Sequence, residues 1–101
     1  MLLLKLAGKF DIEQSDYFEK TFNQLAAGKP KRVCLDMTDV NFIDSSGIGA
    51  MIKALNLVKS GGGEMILFGL KPMILSVFKL AKLDNFFKVL SPEEFRLKYG
   101  G

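Results

Sequence analysis

The sequence predicts an α/β domain, a largely parallel or mixed four-stranded sheet packed with about four helices, and three observations carry that prediction. The 101 residues suit a single hydrophobic core of ordinary size. Hydrophobic residues make up 49% and charged residues 25%, inside the band of folded soluble domains and outside that of disordered or fibrous chains. Between short breaks at Gly28-Lys29-Pro30, Thr38-Asp39, Ser60-Gly61-Gly62-Gly63, Lys71-Pro72 and Ser91-Pro92, the apolar period switches repeatedly from compact runs to helical stripes. These breaks are too short to be linkers, so residues 1–101 are expected to form one domain.

The first strand is expected at Leu2-Leu3-Leu4-Lys5-Leu6 and the second at Val33-Cys34-Leu35-Asp36-Met37. Both runs are apolar without strict alternation, which implies burial on both faces of a sheet covered by helices. Between them Phe18, Phe22, Leu25 and Ala26 keep the i, i+4, i+7, i+8 stripe of a helix, with Glu19, Lys20 and Asn23 facing away. A second helix follows from Ile48, Met51, Ile52, Leu55 and Val58, with Lys53, Asn56 and Lys59 outside. Met65-Ile66-Leu67-Phe68 after the triple glycine is the third strand. A third helix begins at Pro72, where a missing N–H costs nothing, and buries Ile74, Val77, Phe78 and Ala81. Phe87-Lys88-Val89-Leu90 is the fourth strand, and Ser91-Pro92-Glu93-Glu94 opens a last helix with a capping serine, a first-turn proline and acids at the positive helix end. Strands alternating with helices in this order make a layered α/β fold.

Composition excludes much chemistry. The chain has no histidine, so Ser-His-Asp and Cys-His machinery, histidine bases and imidazole metal ligands are all missing. Cys34 is alone and sits within an apolar run, which suggests a small buried strand residue in a reducing, cytoplasmic setting. The apolar start, Met1 to Leu6, is too short for the core of a signal peptide, and no run approaches the roughly 20 residues of a membrane helix, so neither export nor membrane insertion is expected. The net charge of +3 is uneven, −1 over residues 1–44 and +4 over residues 45–101, but without a Lys/Arg run or aromatic-basic interleaving, so nucleic acid is not expected as a partner. The lysines Lys71, Lys79 and Lys82 form a basic helix face that reads first as solvated.

One segment is unusual for a connection: Asp39-Val40-Asn41-Phe42-Ile43-Asp44-Ser45-Ser46-Gly47-Ile48-Gly49 leads from a buried strand into the strongest helix. Asp44 or Ser45 is placed to cap that helix, and Ser46 lies within its first turn. Glycine costs about 1 kcal/mol relative to alanine inside a helix, so Gly47 and Gly49 suggest a close approach to the backbone. A serine hydroxyl at a positive helix end suits a phosphate, which adds about −1.5 to −2 charges. If a partner covers that hydroxyl, burying the charge unpaired costs on the order of 2 to 5 kcal/mol, roughly 30-fold to several-thousand-fold in affinity.

Leu35-Asp36-Met37 followed by Val40 to Gly49 resembles the signature of the STAS-domain anti-sigma factor antagonists. Gly8-Lys9-Phe10-Asp11, Gly62-Gly63-Glu64-Met65, and Pro72 with Leu83, Phe86 and Phe87 agree with the same family, so the resemblance spans most of the chain. It implies that Ser46, or alternatively Ser45, accepts phosphate from an anti-sigma factor that is itself a serine kinase, with no catalytic residue, cofactor or metal site in this chain. Asp11, Asp44, Ser45, Gly47, Ile48 and Gly49 would form the partner-binding surface, with Met51 and Ile52 either reaching it or lying in the core. The unphosphorylated form would bind the anti-sigma factor and release a sigma factor in a bacterial cytoplasm, phosphorylation would end this, and a metal-dependent serine phosphatase would restore it. Family members usually carry a further short strand ahead of the one that opens this chain, which leaves the sheet edge open. Stressosome and lipid-transport subunits share the fold and are alternatives, since fold does not choose function.

Enzymatic alternatives fare poorly. Asp44-Ser45-Ser46-Gly47-Ile48-Gly49 lacks the first glycine of Gly-x-Ser-x-Gly, and Gly47-Ile48-Gly49-Ala50-Met51-Ile52 satisfies two of three glycines in Gly-x-Gly-x-x-Gly. A phospho-aspartate receiver is the better rival, from Asp11, Asp36, Asp39 and Asp44 near strand ends and the Lys71-Pro72 pair, although Ala7-Gly8-Lys9 lacks the acidic pair that would hold magnesium.

Overall fold

The computed structural model describes residues 2–100; of the expected single domain 1–101, Met1 and Gly101 lie outside the described residues. The chain runs β1 (Leu2–Phe10), α1 (Ile12–Ala26), β2 (Arg32–Ile43), α2 (Ser45–Ser60), β3 (Glu64–Phe68), α3 (Pro72–Leu80), a 3-10 turn at Leu83–Asn85, β4 (Lys88–Leu90) and α4 (Pro92–Tyr99). The sheet is wholly parallel with strand order β1-β2-β3-β4. Every strand-to-strand crossover therefore steps the same way, and its common right-handedness puts the intervening helices on one face. Val33, Leu35 and Met37 of β2 and Met65 and Leu67 of β3 meet Phe18 and Phe22 of α1, Ala50, Met51 and Ala54 of α2, and Ile74 and Phe78 of α3 in the main core. The alternate residues Cys34, Ile66 and Phe68 point to the other face, where Phe95 and Tyr99 of α4 cover them.

Two expectations about the strands are corrected. The segment Thr38–Ile43, expected as a connection, is the second half of β2. Register with β1 slips by one residue between Asp36 and Asp39 and again between Val40 and Phe42, so β2 carries two extra residues there. Its buried positions Met37, Val40 and Ile43 are consequently three apart rather than two, which removes the strand period from the sequence. β1 is not buried on both faces. Leu2, Leu4 and Leu6 pack on the main core, while Leu3 is 54% exposed because α4 does not reach that edge.

The second helix also turns differently from expectation. Its core face is Gly47, Ala50, Met51, Ala54, Leu55 and Val58, and Ile52 is 37% exposed. Small Ala50 and Ala54 let α2 lie close to Phe18 and Phe22 of α1, so the large apolar side chains are not the ones that mark this contact. In α3, Ile74 and Phe78 are buried as expected while Ala81 is exposed at the helix end. Pro72 occupies the first turn of α3, and Ser91 and Glu94 close a reciprocal capping box at α4, the Glu94 N–H donating to Ser91 Oγ at 3.1 Å and the Ser91 N–H to Glu94 Oε1 at 2.9 Å.

Candidate functional site

The site follows from two adjacent strands that end level and each turn into a helix through one aspartate. Phe10 of β1 is paired with Ile43 of β2, and the Asp44 N–H donates to the Phe10 carbonyl at 3.5 Å. Asp11 then caps α1 by accepting the Gln14 N–H at 3.2 Å. Asp44 caps α2 with one oxygen, Oδ1, which accepts the N–H of Ser46 at 3.0 Å and of Gly47 at 3.2 Å. Both carboxylates thus satisfy backbone donors that a helix start leaves open. Of the two capping candidates, Asp44 and Ser45, the structure chooses Asp44.

Ser45 and Ser46 occupy the first two helical positions of α2; Ser45 is exposed and Ser46 half-buried. Among the described residues neither hydroxyl makes a hydrogen bond, whereas the hydroxyls of Ser15 and Ser76 are held by the carbonyls of Asp11 at 2.6 Å and Pro72 at 2.9 Å. Ser46, Ser45 and Gly49 line a recess of about 310 Å³ with Ala50 and Lys53 of α2, facing Ile12, Ser15, Asp16 and Glu19 of α1. The recess continues into a cleft of about 430 Å³ between the same helices, and the Lys53–Glu19 ion pair, 3.4 Å, stands where the two join.

The two glycines divide the roles that the sequence had joined. Gly47 is buried, and a methyl group there would run into the side chain and carbonyl of Phe10 and the Ile43 side chain, so this glycine lets α2 start against the end of β1. Nothing lies within 4 Å of a methyl group at Gly49, which therefore has no packing reason within the domain and leaves room in the recess. Ile48 is half-buried against the core, Met51 is fully buried, and Ile52 is on the surface. Gly47 and Met51 shape the site from beneath; Asp11, Asp44, Ser45, Ser46, Ile48 and Gly49 keep accessible surface.

Sequence reading missed the α1 side of the recess. Ile12, Ser15, Asp16 and Glu19 lie at the spacing of one helix face, as do Ser46, Gly49, Ala50 and Lys53. That periodicity is visible in the sequence, but the pairing of the two faces is not. Among the described residues the recess offers no unpaired cation: Asp16 is paired with Lys20 at 3.2 Å, and its one lysine, Lys53, is already paired with Glu19.

The aspartates that suggested a receiver domain have separate local tasks. Asp11 and Asp44 are caps, Asp36 Oδ1 accepts the Thr38 N–H at 3.0 Å and the Thr38 hydroxyl at 2.5 Å, and Asp39 pairs with Lys5 at 3.1 Å. Among the described residues no cluster of three acids, cysteines or histidines is placed to hold a metal ion, and no helix is long and apolar enough to cross a membrane.

Comparison with known proteins agrees with this architecture. The anti-sigma-B factor antagonist of Bacillus subtilis is 26% identical over 92 residues, covering 90% of this chain and 83% of its own. The anti-sigma F factor antagonist of Paenibacillus polymyxa is 25% identical over 91 residues, covering 89% of this chain and 75% of its own. The solved anti-sigma factor antagonist SpoIIAA in its unphosphorylated form superimposes with a TM-score of 0.72 at 18% identity, over 93% of this chain and 84% of that one. The family model of the STAS domain matches residues 1–95, and the chain belongs to that family.

Proposed function

We propose that the chain is an anti-sigma factor antagonist controlled by phosphorylation of Ser46. In its unphosphorylated form it binds an anti-sigma factor that is also a serine kinase, and so frees a sigma factor in a bacterial cytoplasm. The contact surface is the recess between α1 and α2 with its rim: Asp11, Asp44, Ser45, Ser46, Ile48 and Gly49, extended by Ile12 and Asp16. Phosphate on Ser46 ends the complex, and a metal-dependent serine phosphatase restores it. The domain acts by binding and has no chemistry of its own.

The observation that supports this most strongly is the Ser46 hydroxyl, which lines an open recess at the start of α2 and has no internal hydrogen bond among the described residues. Its backbone N–H is already taken by Asp44, and the surrounding acids offer a phosphate no free cation. The modified side chain is therefore held out toward the partner rather than folded back onto the domain. A dianion buried there in a complex lacks compensation, which costs on the order of 2 to 5 kcal/mol and loosens binding by roughly 30-fold or more. The antagonist names carried by the relatives point to the same partner class.

The test is incubation with ATP and an anti-sigma factor kinase, followed by mass spectrometry of the peptides. Phosphate should fall on Ser46 and vanish in Ser46→Ala. Phosphate found only elsewhere, or an acid-labile aspartyl phosphate, would refute the proposal.

A further inference from the structure

The parallel sheet gives the molecule two poles, and its charges are sorted between them. Ser46 and the helix starts lie at the C-terminal ends of the strands; the opposite pole holds the strand starts and the ends of the helices. That opposite pole is strongly basic. Lys59, Lys79, Arg96 and Lys98 lie in last helical turns, where a cation complements the helix dipole. Lys29 and Lys82 lie just past the ends of α1 and α3, and Lys31, Arg32 and Lys88 lie at strand starts, where the dipole gives no such reason. Against them stand Glu64, already bound to Arg32 at 2.7 Å, Asp84, and Glu94, which lines a recess together with Lys79 and Asp84.

Two further features set this pole apart. Lys29 (φ 49°) and Lys82 (φ 57°) are the non-glycine residues with left-handed backbone among the described residues, at positions where glycine would sit with less strain. The end of α3 and its connection to β4 also present Leu80, 86% exposed, and Phe86, 61% exposed, interleaved with Lys79, Lys82 and Lys88. Large apolar side chains projecting among lysines fit the headgroup boundary of an anionic bilayer. The cations are mostly lysines, point charges without the arginine fork that suits fixed phosphate contacts, which favours a diffuse charged surface over nucleic acid or one acidic segment.

We infer that the basic pole adsorbs peripherally to anionic lipid membrane, leaving the Ser46 pole directed away from it. The two poles are opposite, so this inference stands apart from the antagonist reading, and either can fail alone.

The test is co-sedimentation of the whole chain with phosphatidylcholine vesicles containing phosphatidylglycerol, and with phosphatidylcholine alone, at low salt. Binding should require the anionic lipid. Each lysine near such a surface contributes about fivefold, so Lys79→Gln/Lys82→Gln should weaken partitioning by about 25-fold. Phe86→Ser should weaken it further, and Lys9→Gln/Lys71→Gln, with the same loss of charge at the other pole, should not. Equal sedimentation with both vesicle types, equal losses in the two lysine pairs, or tighter binding to duplex DNA at the same salt would overturn the inference.

Discussion

Gly47 and Gly49 are two residues apart on one helix, yet the structure assigns alanine opposite effects at them. At both positions alanine gains about 1 kcal/mol of helix propensity. At Gly47 the added methyl would stand 2.5 Å from the Phe10 carbonyl oxygen and 3.0 Å from Ile43 Cγ1, and the strand backbone cannot retreat without losing its pairing with β2. Overpacking of this kind costs about 1–3 kcal/mol; set against the propensity gain, Gly47→Ala should be destabilised by a net amount of up to about 2 kcal/mol. For a domain of this size that is a fall in Tm of up to roughly 15 °C. At Gly49 the methyl meets nothing within 4 Å, so the propensity gain stands alone and Tm should rise by up to about 8 °C. The same methyl enters the recess beside Ser46, so the more stable Gly49→Ala variant should bind its partner less tightly. Thermal melting followed by circular dichroism, paired with a binding titration, reads all three outcomes. If both variants shift Tm in the same direction, the close approach of α2 to Phe10 is wrong.

Other perturbations test the remaining parts. Asp44→Ala strips the cap from the Ser46 and Gly47 N–H groups and should cost about 1 kcal/mol, seen as a Tm loss of roughly 4–8 °C. Cys34 is buried beneath α4, which pushes its thiol above the ordinary value, so it should resist thiol reagents in the native protein. Phe95→Ala removes the ring stacked on Phe68 at 3.9 Å and should cost about 2 kcal/mol, raising Cys34 labelling through local opening by about 30-fold. The hydrogen bond from Arg32 holds the Glu64 carboxyl below its ordinary 4.5, and the Ser91 N–H does the same for Glu94. Their stabilisation is therefore full above pH 4.5 and lost as pH falls through the depressed folded-state values. Glu64→Gln should accordingly lower Tm at neutral pH and show a smaller difference near roughly pH 3.

What the sequence revealed depended on whether the governing interaction was local. The Asp44 and Ser91 caps, the Pro72 helix start and the burial of Cys34 each rest on a few neighbouring residues, and all are found in the structure. The second half of β2 was hidden because its two extra residues stretch the buried spacing from two to three, so Val40 and Ile43 no longer read as strand. Ile52 outweighed Ala50 and Ala54 in the expected helix face, although small residues are what a close helix pair needs. Leu3 was expected to be covered, but coverage depends on where α4 crosses the sheet, and it crosses β2, β3 and β4. For the recess, the Asp44 cap and the place of Ser46 in the first turn of α2 were legible from one contiguous motif. Ile12, Asp16, Glu19 and Lys53 were not, since nothing in the sequence says which helix faces meet.

The central claim is that charge on residue 46 decides whether the partner stays bound. Calorimetric titration of the anti-sigma factor with Ser46→Ala, Ser46→Asp and the unmodified chain tests it most directly. The Ser46→Ala variant should bind as tightly as the unmodified chain and remain bound when kinase and ATP are added; Ser46→Asp should bind at least about 30-fold more weakly, with an unchanged Tm. Equal affinity of the alanine and aspartate variants would contradict the account.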